Sequence, residues 1–164
     1  MKKSRFASTD KILIAGPCAA ESLEQLHSVA KSLSLYEGLI FRAGLWKPRT
    51  RPGAFEGVGE LGLNWLVEIR EAYGLKIATE VASPNHVEKC MDYAVDALWI
   101  GARTTTNPFS VEDIAQSLSK TDIPVFVKNP LNPDVKLWIG AIERLLKNGC
   151  RNVCAVHRGF SLAD

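Results

Sequence analysis

The 164-residue chain carries 20 Lys and Arg against 18 Asp and Glu, a net charge of +2, with 46% hydrophobic residues. This composition is typical of a globular domain, and the small net charge argues against nucleic acid or an anionic membrane as a partner. The four cysteines show no C-x-x-C spacing, which indicates neither a disulfide framework nor a zinc knuckle and favours a reducing, cytoplasmic location. No apolar run is long enough for a signal peptide core or for a membrane span of about 20 residues.

Short apolar runs alternate with longer amphipathic segments along the chain. The predicted strands are Ile12–Ala15, Leu39–Arg42, Lys76–Glu80, Ala97–Ile100, Pro124–Lys128 and Val153–His157. Most are apolar throughout, as expected for parallel strands that are buried on both faces. The predicted helices lie near Ser22–Ser34, Leu61–Tyr73, Asn85–Tyr93, Ser110–Ser119 and Val135–Asn148.

The order of these elements, βα five times and then a sixth strand, predicts a parallel α/β fold. Gly74 and Gly149 fall where two helices should end, which is the usual place of a C-cap glycine. Both a doubly wound sheet and a (β/α)8 barrel fit the pattern. A barrel needs about 250 residues. In that case residues 1–164 form a partial barrel, strands 1–6 and helices 1–5, and the C-terminal part of the barrel is missing.

Charged side chains follow most of the predicted strands at their carboxyl ends. They are Arg42, Glu80, Arg103, Lys128 and Arg158. A single such residue can simply be a charge that faces water. In parallel α/β folds, however, the carboxyl ends of the strands form the ligand-binding face. Four cations at one edge are unfavourable unless an anion lies among them, so the pattern predicts a site for a phosphorylated carboxylic acid.

A second group of cations lies in the long connection from Ala43 to about Glu60. It holds Lys47, Arg49 and Arg51, followed by a glycine-rich stretch. Most such connections have about 2–6 residues, and longer ones are usually functional or disordered. Two prolines stiffen the loop, which favours a second anion site over a solvated basic loop.

Six motifs occur in chain order at the predicted strand ends and in the long loop. They are Ala15-Gly16-Pro17-Cys18, Phe41-Arg42-Ala43-Gly44, Lys47-Pro48-Arg49-Thr50, Gly101-Ala102-Arg103, Lys128-Asn129-Pro130 and His157-Arg158-Gly159. Over about residues 11–161 the ordered set resembles the compact type I class of 3-deoxy-D-arabino-heptulosonate 7-phosphate (DAHP) synthases. The resemblance implies a (β/α)8 TIM barrel and an aldol-like condensation of phosphoenolpyruvate with erythrose 4-phosphate. That transferase reaction gives DAHP and phosphate, and it is the first step of the shikimate pathway to aromatic amino acids.

The resemblance also implies roles for the matching residues. Phosphoenolpyruvate would be bound by Arg42, Lys47, Arg103, Lys128 and Arg158. Erythrose 4-phosphate would be bound by Arg49 and Thr50. The catalytic residues would be Lys47, in proton transfer, and Glu80, which would position the reacting water. His157 is expected only as a neighbour of the phosphate site, and His27 and His86 are expected to be structural or to face solvent.

The resemblance further implies a divalent metal ion, Mn2+ or a similar ion, with Cys18 as its first ligand. The other ligands, a His, a Glu and an Asp, are expected beyond Asp164, so we expect the 164-residue chain alone to be inactive. The complete protein is expected to be a homo-oligomer. Some relatives carry a fused chorismate mutase, and the sequence leaves that partner open.

Two alternative functions remain. The sister enzymes that make 3-deoxy-octulosonate 8-phosphate from arabinose 5-phosphate usually have Lys-Ala-Asn-Arg-Ser-Ser in the second loop, where this chain has Lys47-Pro48-Arg49-Thr50. The loop therefore favours the four-carbon aldose. The other alternative is a non-catalytic fragment that binds phosphorylated anions or docks on a partner subunit.

Overall fold

The computed structural model describes residues 12–47, 49 and 53–160. They divide into two compact units, the first within Thr9–Glu80 and Lys89–Ala97 and the second within Val81–Glu88 and Leu98–Asp164. Among the described residues, no helix is both long and apolar enough to cross a membrane.

The first unit contains β1 (Ile14–Ala15), α1 (Leu23–Leu33), β2 (Ile40–Arg42), α2 (Leu61–Tyr73) and most of β3 (Lys76–Val81). The strands are parallel and follow chain order, with Ile14 opposite Ile40 and Ile40 opposite Lys76. Helix α1 begins after Ser22, whose side chain accepts a hydrogen bond from the Gln25 amide. Helix α2 ends at Gly74, which adopts the left-handed conformation at φ 65°.

The core of the first unit lies between these helices and the strands. Its fully buried side chains include Leu26 of α1, Leu66 and Ile69 of α2, Phe41 of β2 and Ile77 of β3. The apolar positions recur at helical spacing on α2, so one face packs inward and the opposite face stays polar.

The second unit contains α4 (Ala102–Thr105), α5 (Pro108–Leu118), β5 (Val125–Lys128), α6 (Val135–Lys147), β6 (Val153–Val156) and most of β4 (Ala97–Ile100). Helix α3 (Pro84–Asp92) begins in the second unit and ends in the first. Strands β4, β5 and β6 are parallel and again follow chain order, with Trp99 opposite Phe126 and Phe126 opposite Cys154. The side chain of Asn107 caps α5 through the amides of Phe109 and Ser110.

The sequence pattern predicts most of these elements to within two residues at each end, and two differences are the largest. Strand β1 starts at Ile14, where its pairing with β2 begins, and Ile12 and Leu13 before it are 44% and 46% exposed. The short helix α4 occupies a segment that the pattern predicts as a connection, and it places Arg103 on a helical turn after β4. Within each unit the strands keep chain order, as in a barrel, and neither unit contains the reversal of a doubly wound sheet.

Candidate functional site

In the first unit, the chain after β1 lies against the backbone of Arg42 at the end of β2. A β-carbon at Gly16 would lie 2.0 Å from the Arg42 carbonyl oxygen, and Gly16 has φ 147°. Only glycine tolerates both that contact and that backbone conformation. Gly16 therefore lets the chain pass close to Arg42, and this path places Cys18 just beyond the ends of β1 and β2.

The next contact brings two predicted site residues together. The Lys47 ammonium donates a hydrogen bond to the Cys18 sulfur at 3.4 Å. Gly44 lies against both, since a β-carbon there would lie 2.6 Å from the Cys18 carbonyl oxygen and 2.6 Å from the Lys47 Nζ. The Gly44 carbonyl also accepts a hydrogen bond from the Ala20 amide at 3.0 Å, which ties the β1 and β2 connections to each other.

The long loop after β2 is held by its own backbone. The Lys47 amide donates to the Glu56 carbonyl at 2.8 Å, and the Gly59 amide donates to the Leu45 carbonyl at 3.0 Å. Arg49 is exposed, and its Nε donates to a carbonyl of the same loop, that of Phe55, at 2.7 Å. Thr50, the other predicted aldose ligand, lies outside the described residues.

Two charged residues of the first unit sit at strand ends in less exposed surroundings. Arg42, the last residue of β2, is half-buried, and Glu80 in β3 is only 8% exposed. A buried carboxylate is costly unless it is paired or hydrogen-bonded, so a Glu at this depth needs a polar or cationic partner. The hydrogen bond from the Ala43 amide to the Ala78 carbonyl extends the β2–β3 ladder past Arg42.

In the second unit, Lys128 ends β5 and its ammonium lies 4.9 Å from the centroid of the Trp99 ring. Trp99 belongs to β4 and is 4% exposed. The ring face attracts the cation and fixes where it points. The sequence pattern singled out Lys128 but not Trp99, because an apolar residue in a buried strand carries no separate signal.

The residue after Lys128 connects β5 to the segment that follows β6. Asn129 is fully buried, and its Oδ1 accepts a hydrogen bond from the Arg158 amide at 2.7 Å. Its Nδ2 donates to the carbonyls of Pro130 and Gly159, each at 2.8 Å. The backbone of Arg158 is thereby fixed just past the carboxyl end of β6, against Asn129, which follows Lys128, while the Arg158 side chain is exposed.

The remaining predicted residues are less closely connected. Arg103 is exposed on α4. His157 is exposed, and its ring centroid lies 6.3 Å from that of Trp138 and 5.3 Å from that of Phe160. The Trp138 indole donates to the Val127 carbonyl at 3.0 Å, so α6 also supports this end of β5.

The predicted metal ligand Cys18 is exposed. Within residues 12–47, 49 and 53–160, no group of three or more His, Cys, Asp or Glu side chains is placed to hold a metal ion. Cys18 by itself cannot make a specific metal site.

Of the two roles that the sequence leaves open for His27 and His86, structural or solvent-facing, their contacts favour the structural one. The His27 ring contacts the Tyr73 hydroxyl at 3.1 Å and the Glu68 carboxylate at 2.9 Å, linking α1 to α2. The His86 Nδ1 accepts a hydrogen bond from the Ala82 amide at 3.2 Å, and burial lowers the pKa of His86.

The parallel strands with cations at their carboxyl ends define an α/β protein with a cationic candidate site. Comparison with known families narrows this class, because the model of the DAHP synthetase I family matches residues 5–164. The chain belongs to that family.

Among curated proteins, it is 34% identical over 148 residues to the phospho-2-dehydro-3-deoxyheptonate aldolase of Thermotoga maritima, covering 90% of this chain and 42% of that protein. It is 33% identical over 172 residues to the 2-dehydro-3-deoxyphosphooctonate aldolase of Helicobacter pylori, covering 91% of this chain and 60% of that protein.

Solved structures agree with the family assignment. The crystal structure of the Thermotoga maritima phospho-2-dehydro-3-deoxyheptonate aldolase (DAHP synthase) has a TM-score of 0.78 at 30% identity, and covers 91% of this chain and 42% of that chain. A truncated form of the enzyme from the same organism has a TM-score of 0.75 at 27% identity, over 93% of this chain and 54% of that chain. The predicted fold class, α/β and part of a (β/α)8 barrel, is confirmed. The chain spans 42% to 60% of the length of the two curated relatives described.

Proposed function

We propose that this chain supplies the phosphoenolpyruvate-binding strands of a synthase that condenses phosphoenolpyruvate with erythrose 4-phosphate. In this proposal residues 1–164 are the N-terminal part of the barrel. The enzyme family, with its aldolase-type chemistry, supports the reaction class. Because the relatives are longer, the complete activity is a proposal for the whole protein.

The observation that carries the proposal is the arrangement at the ends of β5 and β6. Lys128 ends β5 and Arg158 follows the neighbouring parallel strand β6, and Asn129, the residue after Lys128, binds the Arg158 backbone. Cations at neighbouring strand ends attract an anion, and phosphate or carboxylate has the matching charge and geometry. The assignment of Arg42, Lys47 and Arg103 to the same ligand comes from the family resemblance.

In the proposed reaction, C3 of phosphoenolpyruvate forms a bond to the aldehyde carbon of erythrose 4-phosphate. Water adds to C2, and the resulting hemiketal phosphate breaks its C–O bond to release inorganic phosphate. Glu80 positions the water and accepts its proton, and Lys47 donates a proton to the aldehyde oxygen. The arginines and Lys128 hold the phosphate and carboxylate, so positioning and charge stabilisation are their contribution. Arg49 and Thr50 bind the aldose phosphate.

The proposed divalent metal would be held by Cys18 together with further ligands, since residues 12–47, 49 and 53–160 contain no group of three or more His, Cys, Asp or Glu side chains placed to hold it. We include in the proposal that the 164-residue chain alone binds phosphoenolpyruvate without condensing it. An assay for phosphate release with both substrates and Mn2+ tests this, and measurable turnover would refute it.

The binding test is isothermal titration of phosphoenolpyruvate into the purified chain. Lys128→Met and Arg158→Gln each remove one charge-assisted contact, so each should weaken binding about tenfold or more. Lys120→Met and Arg151→Gln are matched controls, because these exposed cations precede β5 and β6 at the opposite strand ends. Equal affinity in all four variants, or no binding by the wild-type chain, would overturn the proposal.

A second candidate is the condensation with arabinose 5-phosphate. The likeness to the Helicobacter pylori 2-dehydro-3-deoxyphosphooctonate aldolase favours it, and the Lys-Pro-Arg-Thr loop argues against it. The two aldose phosphates should be titrated separately into the chain saturated with phosphoenolpyruvate. Tighter binding of erythrose 4-phosphate, weakened by Arg49→Ala, supports the first candidate, and tighter binding of arabinose 5-phosphate supports the second.

A further inference from the structure

We propose that Asn129 is a positioning residue that sets the anion site by holding the Arg158 backbone beside Lys128. This inference rests on the proposed function, since it concerns the same site. The resemblance places Asn129 in the Lys-Asn-Pro motif but gives it no role. Its contacts in the second unit provide one.

Asparagine is the residue type that this position requires. Asn129 has no exposed surface, and its side chain makes three hydrogen bonds, one as acceptor and two as donor. Two carbonyl oxygens face Nδ2 and one N–H faces Oδ1, so the orientation of the amide is fixed by its partners. Aspartate would set a carboxylate oxygen against the two carbonyls, and leucine would leave all three backbone groups without this partner.

These bonds act on the segment that carries Arg158. The Arg158 amide and the Gly159 carbonyl are both bound by the Asn129 side chain, and the Asn129 amide donates to the Val156 carbonyl at 3.1 Å. Asn129 thus contacts the chain before, at and after Arg158. The segment lies past the last paired residue of β6, where a strand end would otherwise fray.

The consequence for binding follows from pre-organisation. With the Arg158 backbone fixed, only the rotatable bonds of its side chain have to become ordered when an anion binds. If the backbone is released, the same contact must also overcome the loss of backbone freedom, and affinity falls. Asn129 therefore affects the ligand through Arg158, without touching the ligand itself.

The test is a double-mutant cycle on phosphoenolpyruvate affinity, measured by titration into the whole chain. Asn129→Ala should weaken binding about tenfold in the wild-type background. In the Arg158→Gln background the same substitution should change affinity less than twofold, because the contact it organises is already gone. A full tenfold loss in both backgrounds would mean that Asn129 acts independently of Arg158, and would overturn the proposal.

Asn152→Ala is the matched control. Asn152 is also buried, and its Nδ2 donates to the Asp122 carbonyl at 2.8 Å just before β6, at the opposite strand end. Both Ala variants should lose stability to urea, but only Asn129→Ala should lose affinity. If Asn129→Ala does not fold, Asn129→Ser is the second variant, and the same loss of affinity is expected for it.

Hydrogen exchange provides a readout that needs no ligand. The Arg158 amide should exchange slowly in the wild-type chain and quickly in Asn129→Ala, while amides within β5 keep their protection. Wild-type binding with loss on Arg158→Gln, but none on Asn129→Ala, would overturn this inference alone. Absence of phosphoenolpyruvate binding by the wild-type chain would instead overturn the proposed function.

Discussion

The Lys47 ammonium reaches the Cys18 sulfur, at 3.4 Å, because residue 44 between them has no side chain. A β-carbon at position 44 would lie 2.6 Å from the Lys47 Nζ and 2.8 Å from its Cε. The backbone of Cys18 would be equally close, so the added methyl group would meet both neighbours. The glycine of the Phe-Arg-Ala-Gly motif therefore sets the geometry of this pair.

We expect Gly44→Ala to displace the Lys47 side chain and to lower the free energy of unfolding by about 1–3 kcal/mol, the usual range for overpacking. The measurement is urea unfolding followed by tryptophan fluorescence. The loss arises because the Cys18 carbonyl is backbone and cannot move as cheaply as the end of a lysine.

Gly140→Ala is the control for that change. Gly140 lies within α6, and a β-carbon there would meet nothing within 4 Å. Alanine is the better helix former, so this variant should gain about 0.5–1 kcal/mol. If Gly44→Ala and Gly140→Ala changed the free energy of unfolding equally, the close contacts at Gly44 would not determine stability.

The four cysteines should differ in reactivity toward a thiol reagent at pH 8. Burial raises the pKa of Cys90 to about 12 and also raises the pKa of Cys150, whereas Cys18 is exposed. The thiolate is the reactive form, so Cys90 and Cys150 should stay unmodified until the chain unfolds. Labelling with a disulfide reagent and mass spectrometry of the peptides checks this.

The matched variant for the labelling experiment is Cys18→Ser. It should abolish the rapid phase of modification and leave all slower labelling unchanged. Rapid modification of Cys90 in the folded chain would contradict the burial on which the expectation rests. Cys154 is half-buried and should react at an intermediate rate.

Much of the fold follows from local sequence signals, but the contacts that organise the site do not. Continuous apolar runs identify the buried strands, and Asn107 and Gly74 mark a helix start and a helix end because caps act on neighbouring backbone groups. The sequence identifies cations such as Lys128 as charges at strand ends. It does not identify the residues that contact them, because folding brings these together from distant parts of the chain.

Asn129 illustrates the limit, because it bonds residues about 30 positions further along the chain. No periodicity or cap pattern encodes such a pair. Helix α4 escapes prediction for another reason, since four residues are too few to show a helical period. Arg103 is therefore identified as a charge after β4 while its helical setting is not.

Stability in mild acid should depend on His86. Burial lowers its pKa below the ordinary value, so the unfolded chain binds a proton at His86 more readily than the folded chain. The stability contribution is present above the unfolded pKa, near 6.5, and is lost as the pH falls from there through the folded value. The neutral ring accepts a hydrogen bond from the Ala82 amide, and the Ser83 hydroxyl accepts one from the His86 amide.

The measurement is urea unfolding of the wild-type chain and of His86→Gln from pH 8 to pH 5. Glutamine keeps an acceptor at this position but does not titrate there. Wild-type stability should fall more steeply than that of the variant as the pH drops, and the steeper part should begin near pH 6.5. Parallel curves over the whole range would contradict the role assigned to His86.

Trp99 should contribute to anion binding through Lys128. The Lys128 ammonium lies 4.9 Å from the Trp99 ring centroid, and such contacts stabilise by about 0.5–2 kcal/mol. Trp99→Leu removes the ring, so Lys128 should sample more orientations and phosphoenolpyruvate affinity should fall about three- to tenfold. Trp99→Phe keeps an aromatic face that attracts the cation more weakly, so its phosphoenolpyruvate affinity should lie between those of Trp99→Leu and the wild type.

Val127→Ala separates this effect from general loss of packing. Val127 is fully buried in β5, next to Lys128 in sequence, and strand alternation puts it on the opposite face from Lys128. Its truncation should destabilise the chain by about 1–3 kcal/mol, as core deletions do, with affinity unchanged. If Trp99→Leu and Val127→Ala reduce affinity equally, the ring acts only through stability. If only the Trp99 variants weaken binding, and Trp99→Leu weakens it more than Trp99→Phe, the aromatic face itself positions the cation.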